Sequence, residues 1–190
     1  LAQPYGKLFY LLLPQISYDR SPYGRPGIGS IEDLDAATVD DVRAFHATYY
    51  RPDNATLFVV GNFDDAQLDA WVDKYFGPVA RPSTPLPRVT TLEPPRTGPR
   101  TWTVYEPNTP LPAVAISYPN PAADSPDIAA LVVADAILAT GESSRLYRSL
   151  VYEKQLAQSA FTFLGSAQQP NSTAVIAILA GGKSVEEGET

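Results

Sequence analysis

Val39, Val42, Phe45, His46 and Tyr49 recur at intervals of three and four residues, the period of a helix with one face turned inward. Thr38 stands at the start, with Asp41 three residues on, a short-armed capping box. Asp40 and Asp41 also suit the positive end of a helix dipole. Arg51-Pro52-Asp53-Asn54 ends the helix, with Pro52 set for a type I turn. The run ATLFVVG (Ala55–Gly61) is apolar and β-branched, and predicts a buried strand. A second helical stripe comes at Leu68, Trp71, Val72, Tyr75 and Phe76, capped by Asp64 or Asp65 and stopped by Gly77.

The pattern on either side is weaker. Residues 1–37 are turn-rich, with a short helix near Lys7–Leu13. Residues 78–100 are crowded with prolines and have little periodicity, the composition of a stiff extended linker and a domain boundary. Beyond it, TWTVYE (101–106) and AVAISYP (Ala113–Pro119) read as strands. Ser125 with Pro126 at the first helical position opens a helix that fills DIAALVVADAILATG as far as Gly141. That helix is apolar nearly all round, which predicts deep packing. SSRLYRSLVYEKQLAQSAF (143–161) reads as a further helix, capped by Ser143 or Ser144, running into a strand. AQSAFTFLG and STAVIAILAG form two strands joined by SAQQPN, and Ser184 with Glu187 makes a second capping box. The division is therefore 1–77, a linker at 78–100, and 101–190, in an α+β protein.

At 190 residues with 44% apolar content, the chain has enough material for a core without covalent staples. It has no Cys, which excludes disulfides and thiolate metal sites. A net charge of -7 and the lack of a basic, aromatic-interleaved patch exclude non-specific nucleic-acid binding. No apolar run reaches the ~20 residues of a membrane span. LAQPYGKLFYLLLPQ lacks a basic leader and a small-residue cleavage site, so it does not read as a signal peptide. The absence of Met and the start at Leu1 read as an excised or processed segment, with both α+β patterns cut short.

The side-chain chemistry is sparse. His46 is the single imidazole, with neither His nor Glu four residues away, so a packed or surface-edge role fits it better than a zinc ligand's. GESSR is not G-x-S-x-G, and its serines read as helix caps. The acids of IEDLDAATVDD lie at a helix start, where they are stabilising in any case. The glycines of SPYGRPGIGS fall as G-x-x-G-x-G, the wrong spacing for a dinucleotide loop. Asn54-Ala55-Thr56 and Asn171-Ser172-Thr173 match the glycosylation sequon, a pattern common by chance. Residue chemistry alone thus gives an α+β protein without an assembled active site.

Three stretches carry a resemblance. SPYGRPGIGSIEDLDAATVDDVRAFHATYYRPDNATLFVVGNFD, LDAWVDKYFG and GESSRLYRSLVYEKQLAQSAF together resemble the pitrilysin/insulinase family of zinc peptidases, in the family's order. The resemblance implies repeated α+β units with helices on mostly antiparallel sheets. This chain would hold the back part of one unit (1–77) and the front of the next (101–190), the region often called the family's C-terminal domain. Family members hold zinc with H-x-x-E-H and a more distant Glu. No H-x-x-E-H occurs here; motif and Glu would both lie upstream of Leu1. No catalytic or metal residue carries over, and zinc is expected in the intact parent but not in this segment. In the family's partner domains an Arg seven residues before a Tyr binds the substrate backbone. The matching positions are Val151 and Gln158, which offer neither donor nor phenol. The helix then reads as scaffold: Leu146, Leu150 and Val151 facing a sheet, and Arg145, Arg148, Glu153 and Lys154 on the wet or subunit-facing side. The expectation is a non-catalytic fragment of a zinc endopeptidase, scaffold and chamber wall for peptide hydrolysis, with a homologous subunit or domain supplying Arg–Tyr. The alternative is part of an inactive member serving as a structural or assembly subunit. The resemblance also suggests a bacterial periplasm or envelope location.

Overall fold

The computed structural model describes residues 3–107 and 109–189. The chain forms two compact units, one made of Leu1–Ile28 with Thr91–Thr190 and the other of Gly29–Thr90. These units do not coincide with the division at 78–100 read from composition. The first 28 residues join the second stretch through bonds of long sequence separation: Tyr5 Oη donates to Leu111 O and Ser17 Oγ to Ser117 Oγ, both at 2.9 Å.

The larger unit is an α+β layer. Strands β1 (Ala113–Asn120), β2 (Ala157–Leu164) and β3 (Asn171–Leu179) form an antiparallel sheet in the order β1-β3-β2. Ala115 and Phe161 both lie opposite Ile176 in the register, so all three point to one face. An N-terminal helix covers that face. It begins with a π-helical turn, Leu8–Leu12, and continues as α1 (Leu13–Ser17). Leu13, Ala174 and Ile176 are its buried centre, flanked by Phe9, Ile16, Ala115 and Phe161. Phe9 meets Phe161 edge-on at 6.1 Å, a favoured aromatic geometry. The helix is longer than the Lys7–Leu13 segment expected. It absorbs Pro14, which has no N–H for the ladder, just after a widened turn in which Leu13 N–H donates to Leu8 O.

In this unit's remaining elements the structure departs from the sequence reading at two places. α5 (Ile128–Ala139) begins two residues after Pro126 and lies against β2. The deep packing its composition predicts is not found: Val132, Val133 and Ile137 are at least half exposed. One face of a helix on a three-stranded sheet finds cover, and the other does not. TWTVYE forms no strand, and Tyr105 is almost fully exposed. Its β propensity is real, but none of the described residues offers it a neighbouring backbone. The hairpin of β2 and β3 forms as read. Gly165 is required at its mouth, because a Cβ there would collide with Ser172 O. Ser184 and Glu187 cap α6 (Val185–Gly188) reciprocally.

The smaller unit contains α2 (Ile31–Ala36), α3 (Val39–Tyr49) and α4 (Asp65–Phe76). α2 falls in the stretch read as turns; Ser30, accepting from Asp33 N–H, was the available signal. The Thr38–Asp41 box forms in full, and the Thr38 hydroxyl, then its backbone N–H, hold the Asp41 carboxyl below its ordinary range. Asp64 caps α4 through Gln67 N–H. The run Ala55–Gly61 forms no strand among the described residues and is not buried as its composition predicts, with Phe58 83% and Val60 97% exposed. No helix among the described residues is long and apolar enough to cross a membrane.

Ile176 is the side chain on which α1 and the sheet converge. Ile176→Ala should cost about 2–5 kcal/mol of stability, read as a lower urea midpoint with an unchanged slope.

Candidate functional site

The segment from Ser143 to Lys154 is rich in polar side chains, and the backbone of its helical part is unusual. Tyr147–Glu153 is a π-helix, with Lys154 N–H donating to Ser149 O five residues back. Five-residue spacing then aligns side chains that an α-helix would separate. Arg148 Nε meets Glu153 Oε1 at 2.8 Å, and the Tyr147 and Tyr152 rings pack at 5.6 Å. Tyr152 Oη donates to Glu142 Oε2 at 3.3 Å, and the nearby Glu142 charge raises the phenol's pKa. Arg145, Arg148, Glu153 and Lys154 are exposed, while Leu146, Leu150 and Val151 are half-buried, and the π-helix as a whole packs near β2. Ser143 and Ser144 do not cap this helix. Ser144 is buried with its Oγ unpartnered, and its carbonyl receives the Arg148 N–H. Val151 is half-buried in the π-helix, and Gln158 stands exposed at the bulge between Ala157 and Ser159. Neither supplies a cationic or phenolic contact.

The remaining candidates are dispersed. His46 is exposed in the last turn of α3, its ring stacked on Tyr50 at 4.7 Å. Among the described residues no three His, Cys, Asp or Glu side chains converge as a metal cage. A tetrahedral zinc needs nitrogen, sulfur or carboxylate donors meeting at one point, and the residues around His46 do not fit it. Asn171 Oδ1 already accepts from Tyr18 Oη and Ser172 N–H. Asn54 Nδ2 donates to Tyr49 O.

Two polar anchors were not visible as such in the sequence. In the smaller unit Arg51 is 6% exposed and forks onto Asp53, Nε to Oδ1 at 2.6 Å and Nη2 to Oδ2 at 2.8 Å. Its Nη1 and Nη2 also donate to Thr84 O and Pro82 O. The Arg51 hydrogen bonds hold the Asp53 carboxyl below its ordinary range, with Arg81 adding a weaker pull. A planar guanidinium suits such a site, because its donors are fixed in a fork. The second anchor is Glu93, in the larger unit, whose carboxylate receives the backbone N–H groups of Asp19, Arg20 and Ser21 at 2.7, 2.9 and 2.9 Å. The one signal in the sequence was that Glu93 is the only acid between Pro78 and Arg100, among Arg81, Arg88, Arg96 and Arg100.

An α+β segment with an antiparallel sheet and no metal cage among its described residues is what this geometry defines. Comparison with known proteins gives it a family. The profile described as the peptidase M16 inactive domain matches residues 36–188, and the chain belongs to that family. It is 31% identical over 180 residues to the zinc protease PqqE of Helicobacter pylori, across 94% of this chain and 40% of that protein. The chain thus spans less than half the length of this curated relative. The crystal structure of a protease from Helicobacter pylori superposes with a TM-score of 0.84 at 29% identity, covering 96% of this chain and 44% of that one. A peptidase M16 inactive domain from Pseudomonas fluorescens shares the fold, with a TM-score of 0.61 at 19% identity over 93% and 42% of the two chains.

The two kinds of polar contact should respond differently to truncation. Arg148→Ala removes an exposed pair and should change stability by no more than about 1 kcal/mol, measured by urea unfolding. Arg51→Ala should free the carbonyls of Pro82 and Thr84, and tryptic cleavage after Arg88 should then outpace that of the parent sequence in a timed digest.

Proposed function

We propose that this chain is the non-catalytic part of a zinc-dependent endopeptidase. It lines the chamber in which a peptide is held, while another part of the polypeptide supplies H-x-x-E-H and the metal. The observation that supports this reading is the run Ala55–Val60, apolar at every position but Thr56, exposed, and in no strand among the described residues. A strand apolar on both faces is an interior strand of a larger sheet. Its neighbours would come from the remaining length of a protein built like the relative named a zinc protease. Residues 1–77 are, on this proposal, the back of one α+β unit and 101–190 the front of the next.

The Arg–Tyr contact to the substrate backbone is assigned to a homologous subunit or domain, because Val151 and Gln158 occupy those positions here. The intact protein then acts as two halves closing around a soluble peptide, in a bacterial periplasm or envelope.

The segment and the full-length protein should be dialysed, assayed for zinc and offered a quenched fluorogenic peptide. The segment should retain no stoichiometric zinc and cleave nothing, whereas the full-length protein with its homologous partner should do both. Stoichiometric zinc on the segment would overturn the proposal. A full-length protein that binds no zinc and stays inert beside its partner would favour the structural-subunit reading, and an active lone monomer would remove the need for a partner.

A further inference from the structure

The turn after α1 is held rigidly. Ser17 Oγ bonds Ser117 Oγ on β1, and Tyr18 Oη bonds Asn171 Oδ1 and Ser172 Oγ at the start of β3. Ser21, 7% exposed, accepts from Tyr23 N–H. The backbone N–H groups of Asp19, Arg20 and Ser21 all point at one place, and Glu93 fills it with both carboxylate oxygens. The same turn holds later residues of that Pro-rich segment. Arg96 donates to Ser17 O, and Arg100 Nη1 pairs with Asp19 Oδ1 at 2.7 Å. Arg100 also lies over the Trp102 ring at 5.5 Å. The segment from Thr91 to Arg100 has no helix or strand of its own. Its position rests on side chains gripping a turn far earlier in the chain, and Glu93 alone occupies three backbone donors at once.

We propose that Glu93 is a releasable latch, which straps residues 91–100 onto the Asp19–Ser21 turn while ionised and lets them go when protonated. A protonated carboxyl loses acceptor capacity and charge against three N–H donors, so the grip weakens without disturbing the sheet. The charged and titratable groups around it are Asp19, Arg20, Tyr18 and Tyr23 on the turn side and Arg96 and Arg100 on the strap. Burial pushes the Glu93 carboxyl up, but the three N–H donors outweigh it and leave the group below its ordinary value of 4.5. The strapped state is therefore favoured above that value, and its advantage is lost as pH falls through the bound carboxyl's own pKa. Asp19 is likewise held low, chiefly by its hydrogen bond from Arg100, so the two acids must be separated by substitution.

Hydrogen exchange on the full-length protein tests this. Glu93→Gln should speed exchange at the amides of Asp19, Arg20 and Ser21 about tenfold at neutral pH, as befits the loss of charge-assisted bonds. Exchange within residues 91–100 should rise with it, and β1–β3 should keep their protection. In the unsubstituted protein, after correction for intrinsic rates, the same amides should open before the sheet does as pH falls below about 4.5. Asp19→Asn should retain that acid step and Glu93→Gln should abolish it. Unchanged turn amides in Glu93→Gln, or acid loss of turn and sheet protection together, would overturn the latch.

Discussion

Leu13 rests on Ala174 and Ile176, with Phe9 and Phe161 closing the sides, and the larger unit is organised around that contact. Small side chains at Ala115 and Ala174 let the helix come close to the sheet, and the ordered helix then sets the direction of the chain beyond it. Because α1 is fixed, Ser17 and Tyr18 reach β1 and β3, and the next turn presents its N–H groups in a constant orientation. Loosening the apolar seam would therefore be felt in polar contacts that share no atom with it. Packed interiors transmit displacement in this way because they have little free volume to absorb it.

Both polar anchors answer one problem. A proline-rich stretch makes few backbone hydrogen bonds of its own, yet it must take a defined course. Arg51 supplies donors to the carbonyls of Pro82 and Thr84, and Glu93 supplies acceptors to the amides of a distant turn. One cation and one anion do for irregular chain what a ladder does for a strand. The polar residues of the π-helix serve no such purpose. Arg148 pairs with Glu153 and Tyr147 packs on Tyr152, each across five positions, and Tyr152 also reaches back to Glu142.

Legibility in the sequence falls off with distance along the chain. The caps at Thr38, Asp64 and Ser184 were legible because each is settled within three residues. The β2–β3 hairpin was legible because its halves are adjacent and its turn is short. Ala55–Gly61 and TWTVYE have the composition of strands, but pairing depends on neighbours that composition does not name. The exposure of α5 was hidden for a related reason: an all-apolar helix states its need for cover without stating how much is supplied. Glu93 and the carbonyl half of the Arg51 anchor were missed because those partners are remote in sequence, 72–74 residues away for the Glu93 amides and 31–33 for the Arg51 carbonyls, although Asp53 lies only two residues from Arg51. The family resemblance was carried by ordered blocks of residues rather than by single side chains, and the family profile matches across residues 36–188.

The widened turn at Tyr147–Glu153 has a consequence for protein engineering. One surplus residue in a helical turn rotates the downstream chain by about 100° relative to an α-helical template. Grafting an arginine onto position 151 by superposing a regular helix would aim the guanidinium into the wrong sector, although the alignment of letters looked sound. Such a graft has to be placed on the π-helical backbone of Tyr147–Glu153 itself.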